Sequence, residues 1–534
     1  MSDAQASGAA PALRRDIDWR HAFWVASGVP ALVLFSIGGI AATVGTPSYL
    51  VWTVSVLFGF IQAFTYAEIA GLFPQKSGGA SIYGAAAWVR YSKIIAPLSV
   101  WCNWLAWTPV LAIGCGIAAG YILTSFFPAD ATIRTWEITL LDLGALKKDL
   151  KLRVNSTFAI GALLLLMTFA IQRGGILRAA RVQMVIGIAV VLPLLVIALV
   201  PLLTGDVVKA NLGPLLPLGG MDPAKNPIVG EWNKAGWTVF LGGLFLAAWS
   251  TYAFETAICY TREFKNPASD TFKAIFFSGL LCLAVFVLVP LAFQGTLGLQ
   301  AMLDPAIYDG SGVAAAMAKM VGGGSVIGSL IVIMLLLAVI LSIITAMAGS
   351  SRTLYQGSID GWLPKYLGHV NDHGAPTRAM WLDFVFNVAL LLLSDYVFVL
   401  AVSNCCYLIF NFLNLNAGWM HRIDHADVAR PWRAPDWLLG AGAALAFVNA
   451  LLLGAGAKVY GDGTLLTGVI VAALIVPVFL YRHYVTDKGQ FPAQMLADLQ
   501  VDVCSLNEGK AGLKPYLVLI AGVAVTAAAA WIFR

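Results

Sequence analysis

Charge is what this sequence has least of. Lys, Arg, Asp and Glu together make up 11% of its 534 residues, against about 25% in a soluble domain. A chain so poor in charge cannot cover a soluble surface of this size, which excludes a large water-soluble globule. The formal net charge is only +5. No long basic run occurs, so no nucleic-acid partner is expected. Histidine is scarce too, with six residues at 21, 369, 373, 421, 425 and 483. None joins Asp or Cys at catalytic spacing, which leaves a membrane enzyme without a candidate centre. His421 and His425 are four apart, a spacing that suits a metal on a helix face, but no third ligand lies near them in the sequence. Seven cysteines stand at 102, 115, 259, 282, 405, 406 and 504. They form no CxxC or Cys/His pattern, and six fall in apolar segments, so they read as small buried hydrophobes. No metal and no cofactor is expected. The first twenty residues are polar, so no cleavable signal peptide is expected ahead of the first apolar segment.

What the chain does have is length of apolar run. Hydrophobic residues make up 59% of it, with a mean hydropathy of +0.81. A helix needs about twenty apolar residues to cross the hydrocarbon, and candidate spans fall at roughly 23–48, 50–72, 95–127, 154–172, 180–203, 236–262, 273–296, 324–354, 377–396, 398–420, 438–457, 463–482 and 515–533. That is about twelve core spans and an appended, Ala-rich thirteenth. Lys and Arg set the orientation, because basic residues are retained on the cytoplasmic side. Placing Arg14, Arg15 and Arg20 inside puts most of the remaining basic residues inside as well. The connection 128–153 resists the rule, carrying Arg134, Lys147, Lys148, Lys151 and Arg153, but it also carries Asp130, Glu137, Asp142 and Asp149. The N-terminus is therefore expected in the cytoplasm, with 76–93 inside and 128–153 outside.

Function is expected where polar or flexible residues interrupt a span. In span one the run Phe35-Ser36-Ile37-Gly38-Gly39-Ile40 lies mid-membrane. Paired glycines weaken a helix by about 1 kcal/mol each relative to Ala and let the backbone open toward a ligand. The same run serves close packing between helices equally well. In span six the run is Trp249-Ser250-Thr251-Tyr252-Ala253-Phe254-Glu255-Thr256. A glutamate in an apolar span is expensive unless paired, protonated or wet. Spans one and six are five apart, as in transporters built from two inverted five-helix repeats whose first helices are broken at the midplane. The expected fold is thus an all-α polytopic membrane protein. Its repeats cover about 23–203 and 236–420, with extra spans at 438–484, cytoplasmic segments at 1–22 and 485–514, and an appended helix at 515–534.

Three stretches carry a resemblance. The first is Tyr66-Ala67-Glu68 leading through Phe73-Pro74 to Gly78-Gly79-Ala80-Ser81-Ile82-Tyr83, with Ser81 at a position that is usually tyrosine. The second is Lys265-Asn266-Pro267 after Glu263. The third runs from Arg352-Thr353-Leu354-Tyr355 through Asp360-Gly361-Trp362-Leu363-Pro364 to His373-Gly374-Ala375-Pro376. From about residue 25 to about 420 these resemble the amino acid–polyamine–organocation superfamily of transporters, which share the LeuT-type fold. Two departures are visible. Ser36-Ile37-Gly38-Gly39 replaces the usual Gly-x-Gly run, and Ala253 replaces the usual glycine before the span-six glutamate.

The resemblance implies a secondary transporter, symporter or antiporter, that carries an amino acid or related amine by alternating access. A transporter-fold sensor, or a carrier of another small organic solute, is the alternative. A broken helix exposes N–H groups on one half and C=O groups on the other, which suits a carboxylate and an ammonium. The amides of Gly38, Gly39 and Ile40 are expected at the carboxylate, and the carbonyls of Trp249, Ser250 and Thr251 at the amino group. Ser36, Ile37, Asn103, Trp107, Tyr252, Ala253 and Asn404 would line the rest. Glu255 is the candidate proton carrier, with Ser342 and Thr345 as candidate oxygens for sodium. The coupling ion, H+ or Na+, stays open. Glu68 reads as structural. The partners expected are the small-molecule substrate and membrane lipid, in a plasma or inner membrane, with the oligomeric state open.

Overall fold

The computed structural model describes residues 13–144, 149–223, 226–308, 310, 312–322, 324–499 and 509–533. Lys147, Lys148 and Cys504, and parts of the two expected cytoplasmic segments, lie outside the described residues. The protein is an all-α polytopic membrane protein. Among the described residues, 11 helices are long and apolar enough to cross a membrane. They are Trp19–Val44, Ser48–Gly71, Ile95–Phe126, Ile176–Thr204, Lys234–Glu263, Pro267–Met302, Val326–Ile359, Tyr396–Asp424, Asp436–Tyr460, Thr464–Thr486 and Lys514–Ile532. Two further expected spans form shorter helices, Ser156–Gln172 and Thr377–Leu390. Counted in chain order these make thirteen, and they are called spans one to thirteen below.

Span nine was expected at 377–396 but stops at Leu390 after 14 residues, a rise of about 21 Å against the ~30 Å of hydrocarbon. The chain beyond it docks on the strand Lys151–Asn155 that leads into span four. Arg153 N donates to Leu392 O at 2.7 Å, and Ser394 N to Lys151 O at 2.9 Å. The connection 128–153 carries strand Glu137–Asp142, which continues antiparallel against Lys151–Asn155. A second small hairpin pairs Leu218–Met221 with Pro227–Val229. The segment 76–93 is more than a loop. Its helix Ala80–Trp88 is wholly buried and packs against spans three and ten.

The helix interruptions follow from residue chemistry. Span one begins in a capping box, with the Asp18 carboxylate accepting from Arg20 N and His21 N at 3.0 and 3.1 Å. Its first half ends at Ala26, a single 3-10 turn covers Pro30–Leu32, and the second half runs Val33–Val44. The break therefore lies at 27–32 and not at the glycine pair. Pro30 has no N–H and its ring crowds the carbonyl four residues back, which favours a break here, although the helices of spans five and seven run through Pro193, Pro201 and Pro290. Two glycines cost less, and the packed second half absorbs that cost. In span six the α-helix Lys234–Thr251 gives way at Tyr252 to a 3-10 helix, Ala253–Glu263. Eleven residues is long for a 3-10 run, which rarely exceeds four. In span three Pro109 divides Ile95–Trp107 from Pro109–Phe126.

Span thirteen packs along span eleven. A side chain at Gly454 would meet Thr526 O at 2.2 Å, and Thr526 Oγ1 donates to Ala450 O at 3.1 Å. The segment leading into it is pinned near residue 91, with Lys510 N on Asp424 Oδ1 at 2.8 Å and Tyr516 Oη on Tyr91 O at 2.7 Å. Its far end, Phe533, lies beside Lys234 and Lys458, where span six begins and span eleven ends. Span thirteen thus runs from one face of the bundle to the other.

Candidate functional site

Spans one and six pack half against half, while the turn Pro30–Leu32 between the halves of span one meets spans seven and eight. The first half of span one packs on the 3-10 half of span six, and the second half on its α-helical half. The Phe35 and Trp249 rings approach to 6.1 Å between centroids. On the N-terminal side the backbones are joined, with Ile17 N donating to Glu263 O at 3.2 Å and Lys265 N to Ile17 O at 2.8 Å.

Glu255 sits at the second position of the 3-10 segment after its start at Ala253, and it is buried. Trp107 Nε1 donates to its Oε1 at 3.0 Å and Asn103 Nδ2 at 3.5 Å. Its Oε2 has no hydrogen-bond partner. Asn103 in turn accepts from Thr353 Oγ1 at 3.0 Å and Ser81 Oγ at 3.3 Å. Asn103, Trp107 and Glu255 are therefore one network, and Trp107 points inward rather than toward lipid. Trp249 Nε1 donates to Ala106 O at 3.2 Å and Ser403 Oγ at 3.1 Å. Thr251 Oγ1 lies 2.7 Å from Ser55 Oγ and 3.0 Å from Ala247 O, while Ser250 Oγ donates back to Ala247 O at 3.1 Å. The Tyr252 ring lies tilted at 51° to that of Tyr407, 6.4 Å between centroids, and Ala253 is buried beside it. Asn404 donates to Phe245 O and leaves its own Oδ1 without a partner.

The glycine run behaves differently from expectation. Gly38, Gly39 and Ile40 lie inside the helix Val33–Val44, so their N–H groups belong to carbonyls one turn back and are not free for a carboxylate. Gly38 instead permits close packing, since a Cβ there would stand 2.2 Å from Ile307 O, whereas at Gly39 it would meet only Leu246 Cδ2 at 3.5 Å. Ile37 and Ile40 are buried in the core, and Ser36 Oγ is buried without a partner.

Ser342 and Thr345 do meet span one, but as donors. Ser342 Oγ bonds Gly28 O at 2.9 Å and Thr345 Oγ1 bonds Val25 O at 2.7 Å. Gln183 of span five fills the space between, its Nε2 donating to Val25 O at 3.0 Å and to Thr345 Oγ1 at 3.1 Å. Thr345 Oγ1 thus meets an amide, while Ser342 Oγ is committed to the carbonyls of Gly28 and Ala338.

The N-terminal side is closed by ion pairs. Arg352 forms a two-pronged pair with Glu263. Lys76, itself buried, bridges Asp360 at 2.7 Å and Asp498 at 3.1 Å. Burial pushes the Asp360 carboxyl above its usual range, against the pull of the Lys76 ammonium. On the opposite side, the 304–308 segment lies over Gly38, and Tyr396 Oη holds Tyr308 O at 2.7 Å.

The amino acid permease family model matches residues 17–480, nearly the whole bundle. The chain belongs to the amino acid permease family. It is 23% identical over 463 residues to a polyamine transporter of Oryza sativa subsp. japonica, covering 85% of this chain and 76% of that protein. It is 24% identical over 372 residues to a branched-chain amino acid permease of Lactococcus lactis subsp. cremoris (strain MG1363), covering 67% of this chain and 72% of that one. A branched-chain amino acid permease of Bacillus subtilis (strain 168) is 24% identical over 364 residues, covering 67% of this chain and 66% of its own length. These relatives are transporters and not enzymes.

Within this permease Glu68 is structural, held by Arg422 at 2.8 and 2.9 Å, Arg430 at 3.1 Å and Ala434 N at 2.8 Å. His421 and His425 face each other with Nδ1 atoms 3.2 Å apart, one donating to the other. Sequence reasoning passed over Gln183, Asp383, Asn387 and Ser403. Gln183 lies two residues past Arg181, inside the expected span 180–203. Asp383 carried a usable signal, because a carboxylate within an apolar run calls for a partner.

Proposed function

We propose that this permease carries an amino acid or amine by alternating access, with the substrate held where spans one and six are interrupted. One observation carries the reading: two spans five apart in sequence both stop being α-helical, and each half of one packs on the matching half of the other. Each interruption leaves backbone groups that a substrate's charged ends would satisfy. The carboxylate end is assigned to the head of the Val33–Val44 half, near Ser36, in place of the glycine pair one turn deeper. The amino end is assigned to the carbonyls of Trp249, Ser250 and Thr251 and to the unpartnered side of Glu255. The repeats are taken as 23–203 and 236–420, and the N-terminus as cytoplasmic, in a plasma or inner membrane. Glu255 is taken as the proton-accepting group of coupling.

Counterflow in proteoliposomes tests this, with radiolabelled leucine and radiolabelled putrescine as probes chosen from the chemistry of the relatives. The expected result is saturable exchange of at least one of them. Binding that raises the melting temperature without any exchange would replace transport by sensing. Neither binding nor exchange with either class would remove both as substrates.

A further inference from the structure

Glu255 is not the only carboxylate bearing on span three. Asp383 of span nine is fully buried. Its Oδ1 accepts from Trp104 Nε1 at 2.7 Å and Thr108 Oγ1 at 3.0 Å, and its Oδ2 from Ser350 Oγ at 2.7 Å. Asn387, one turn later on the same face, donates to Thr108 Oγ1 at 2.7 Å and accepts from Ala112 N at 3.1 Å. These contacts straddle Pro109, where span three is interrupted. A proline removes one rung of the helix ladder and leaves the preceding carbonyls in need of partners. Ser403 Oγ reaches Leu105 O and Ala106 O, both at 3.0 Å. The weakened turn is therefore held from outside by side chains of spans nine and ten.

The same turn presents Asn103 and Trp107 to Glu255. Trp104 and Thr108 are the next residues along the helix from these two, and they face Asp383. One turn of span three is thus gripped by two carboxylates, and the two differ. Both oxygens of Asp383 are satisfied, whereas Glu255 has one satisfied oxygen and one without a partner. A buried carboxylate with all its donors in place is a fixed anchor, and losing it would leave three donors unmatched.

We infer that Asp383 is a positioning residue for transport, fixing the Asn103–Thr108 turn so that Asn103 and Trp107 meet the Glu255 carboxylate. This rests on the proposed role of Glu255 in the site. Span eight joins the two ends of the grip, because Ser350 donates to Asp383 and Thr353 to Asn103.

The test is a double-mutant cycle with Asp383→Asn, Glu255→Gln and both together. Asp383→Asn preserves shape and leaves one carbonyl oxygen for Trp104 and Thr108. Uptake of leucine and putrescine is measured per folded transporter, with the melting temperature of each variant. Asp383→Asn is expected to raise KM about five- to tenfold with Vmax changed less than twofold. In the Glu255→Gln background the same substitution is expected to leave KM within twofold. The shifts in melting temperature are expected to be non-additive. Additive shifts, or an unchanged KM in Asp383→Asn beside a damaged Glu255→Gln, would overturn the inference and leave the site reading standing. A Glu255→Gln variant with wild-type uptake would instead remove the site reading. Should Asp383→Asn fold poorly, Asn387→Ser tests the same grip one turn away, with the same KM criterion.

Discussion

Replacing Gly38 by alanine adds one methyl group, and the structure says where it must go. The new Cβ would lie 2.2 Å from Ile307 O, 2.5 Å from Ile307 C and 2.8 Å from Tyr308 Cα. All three are backbone atoms, so no side chain can rotate away. Ordinary contact begins near 3.4 Å, which requires the 304–308 segment to retreat by about 1.2 Å. Overpacking of this kind costs about 1–3 kcal/mol. At about 1.4 kcal/mol per factor of ten, the conformation in which this segment covers span one would fall roughly five- to a hundredfold. Alanine also favours a helix over glycine by about 1 kcal/mol, but that gain is present whether or not the segment is closed, so it does not rescue closure. Gly39→Ala is the matched control. It adds the same methyl one residue away, where only Leu246 Cδ2 lies at 3.5 Å. In proteoliposomes holding equal amounts of folded protein, Gly38→Ala is expected to slow leucine or putrescine exchange at least fivefold, and Gly39→Ala less than twofold. Equal rates for the two variants would refute the idea that this segment must close on span one during transport.

Further outcomes are expected elsewhere. Glu255→Gln keeps the shape and cannot titrate, so it should still exchange substrate, with a raised KM, yet lose accumulation driven by a pH gradient. Wild-type pH dependence in that variant would rule out Glu255 as the proton carrier. Replacing sodium by choline should change uptake less than twofold, because Ser342 and Thr345 are committed to Gly28, Val25 and Gln183; a tenfold loss would mean that the Gln183 amide yields its place to the ion. Burial, with Arg90, Arg430 and Lys510 nearby, holds the His425 imidazole down at about 4 from an ordinary 6.5. The unfolded chain then takes up the proton first as pH falls. Stability is full above pH 6.5 and declines toward pH 4, by about 3 kcal/mol at 1.36 kcal/mol per unit. The melting temperature of His425→Phe should accordingly fall less than that of wild type between pH 7 and 4.5. Single cysteines at the exposed positions Leu140 and Ile94 should label with an impermeant reagent from outside only and from inside only; the reverse pattern would invert the topology.

The sequence by itself determined the class of protein, the order of the spans and most of their boundaries. Transfer of a helix into lipid depends on the apolar content of that helix alone, so each span could be read without knowing its neighbours. The same locality placed the change in span six, where Ser-Thr-Tyr and Glu255 interrupt an apolar run. It also carried a signal for span one, since Pro30 removes a rung of the helix ladder, although spans five and seven run through Pro193, Pro201 and Pro290; the glycine pair is permissive and its use depends on what packs against it. Ile307 decides that use, and it is 269 residues away in sequence. Pairing was likewise out of reach. Asp383 shows in the sequence as a buried cost, but its three donors come from spans three and eight. Ser342 and Thr345 show as hydroxyls in the right helix, but a hydroxyl can donate or accept, and only the presence of Gln183 and two free carbonyls fixes which. Composition decides whether a segment enters the membrane; which face of one helix meets which face of another is set by the packing of the whole bundle, and the site exists only at those meetings.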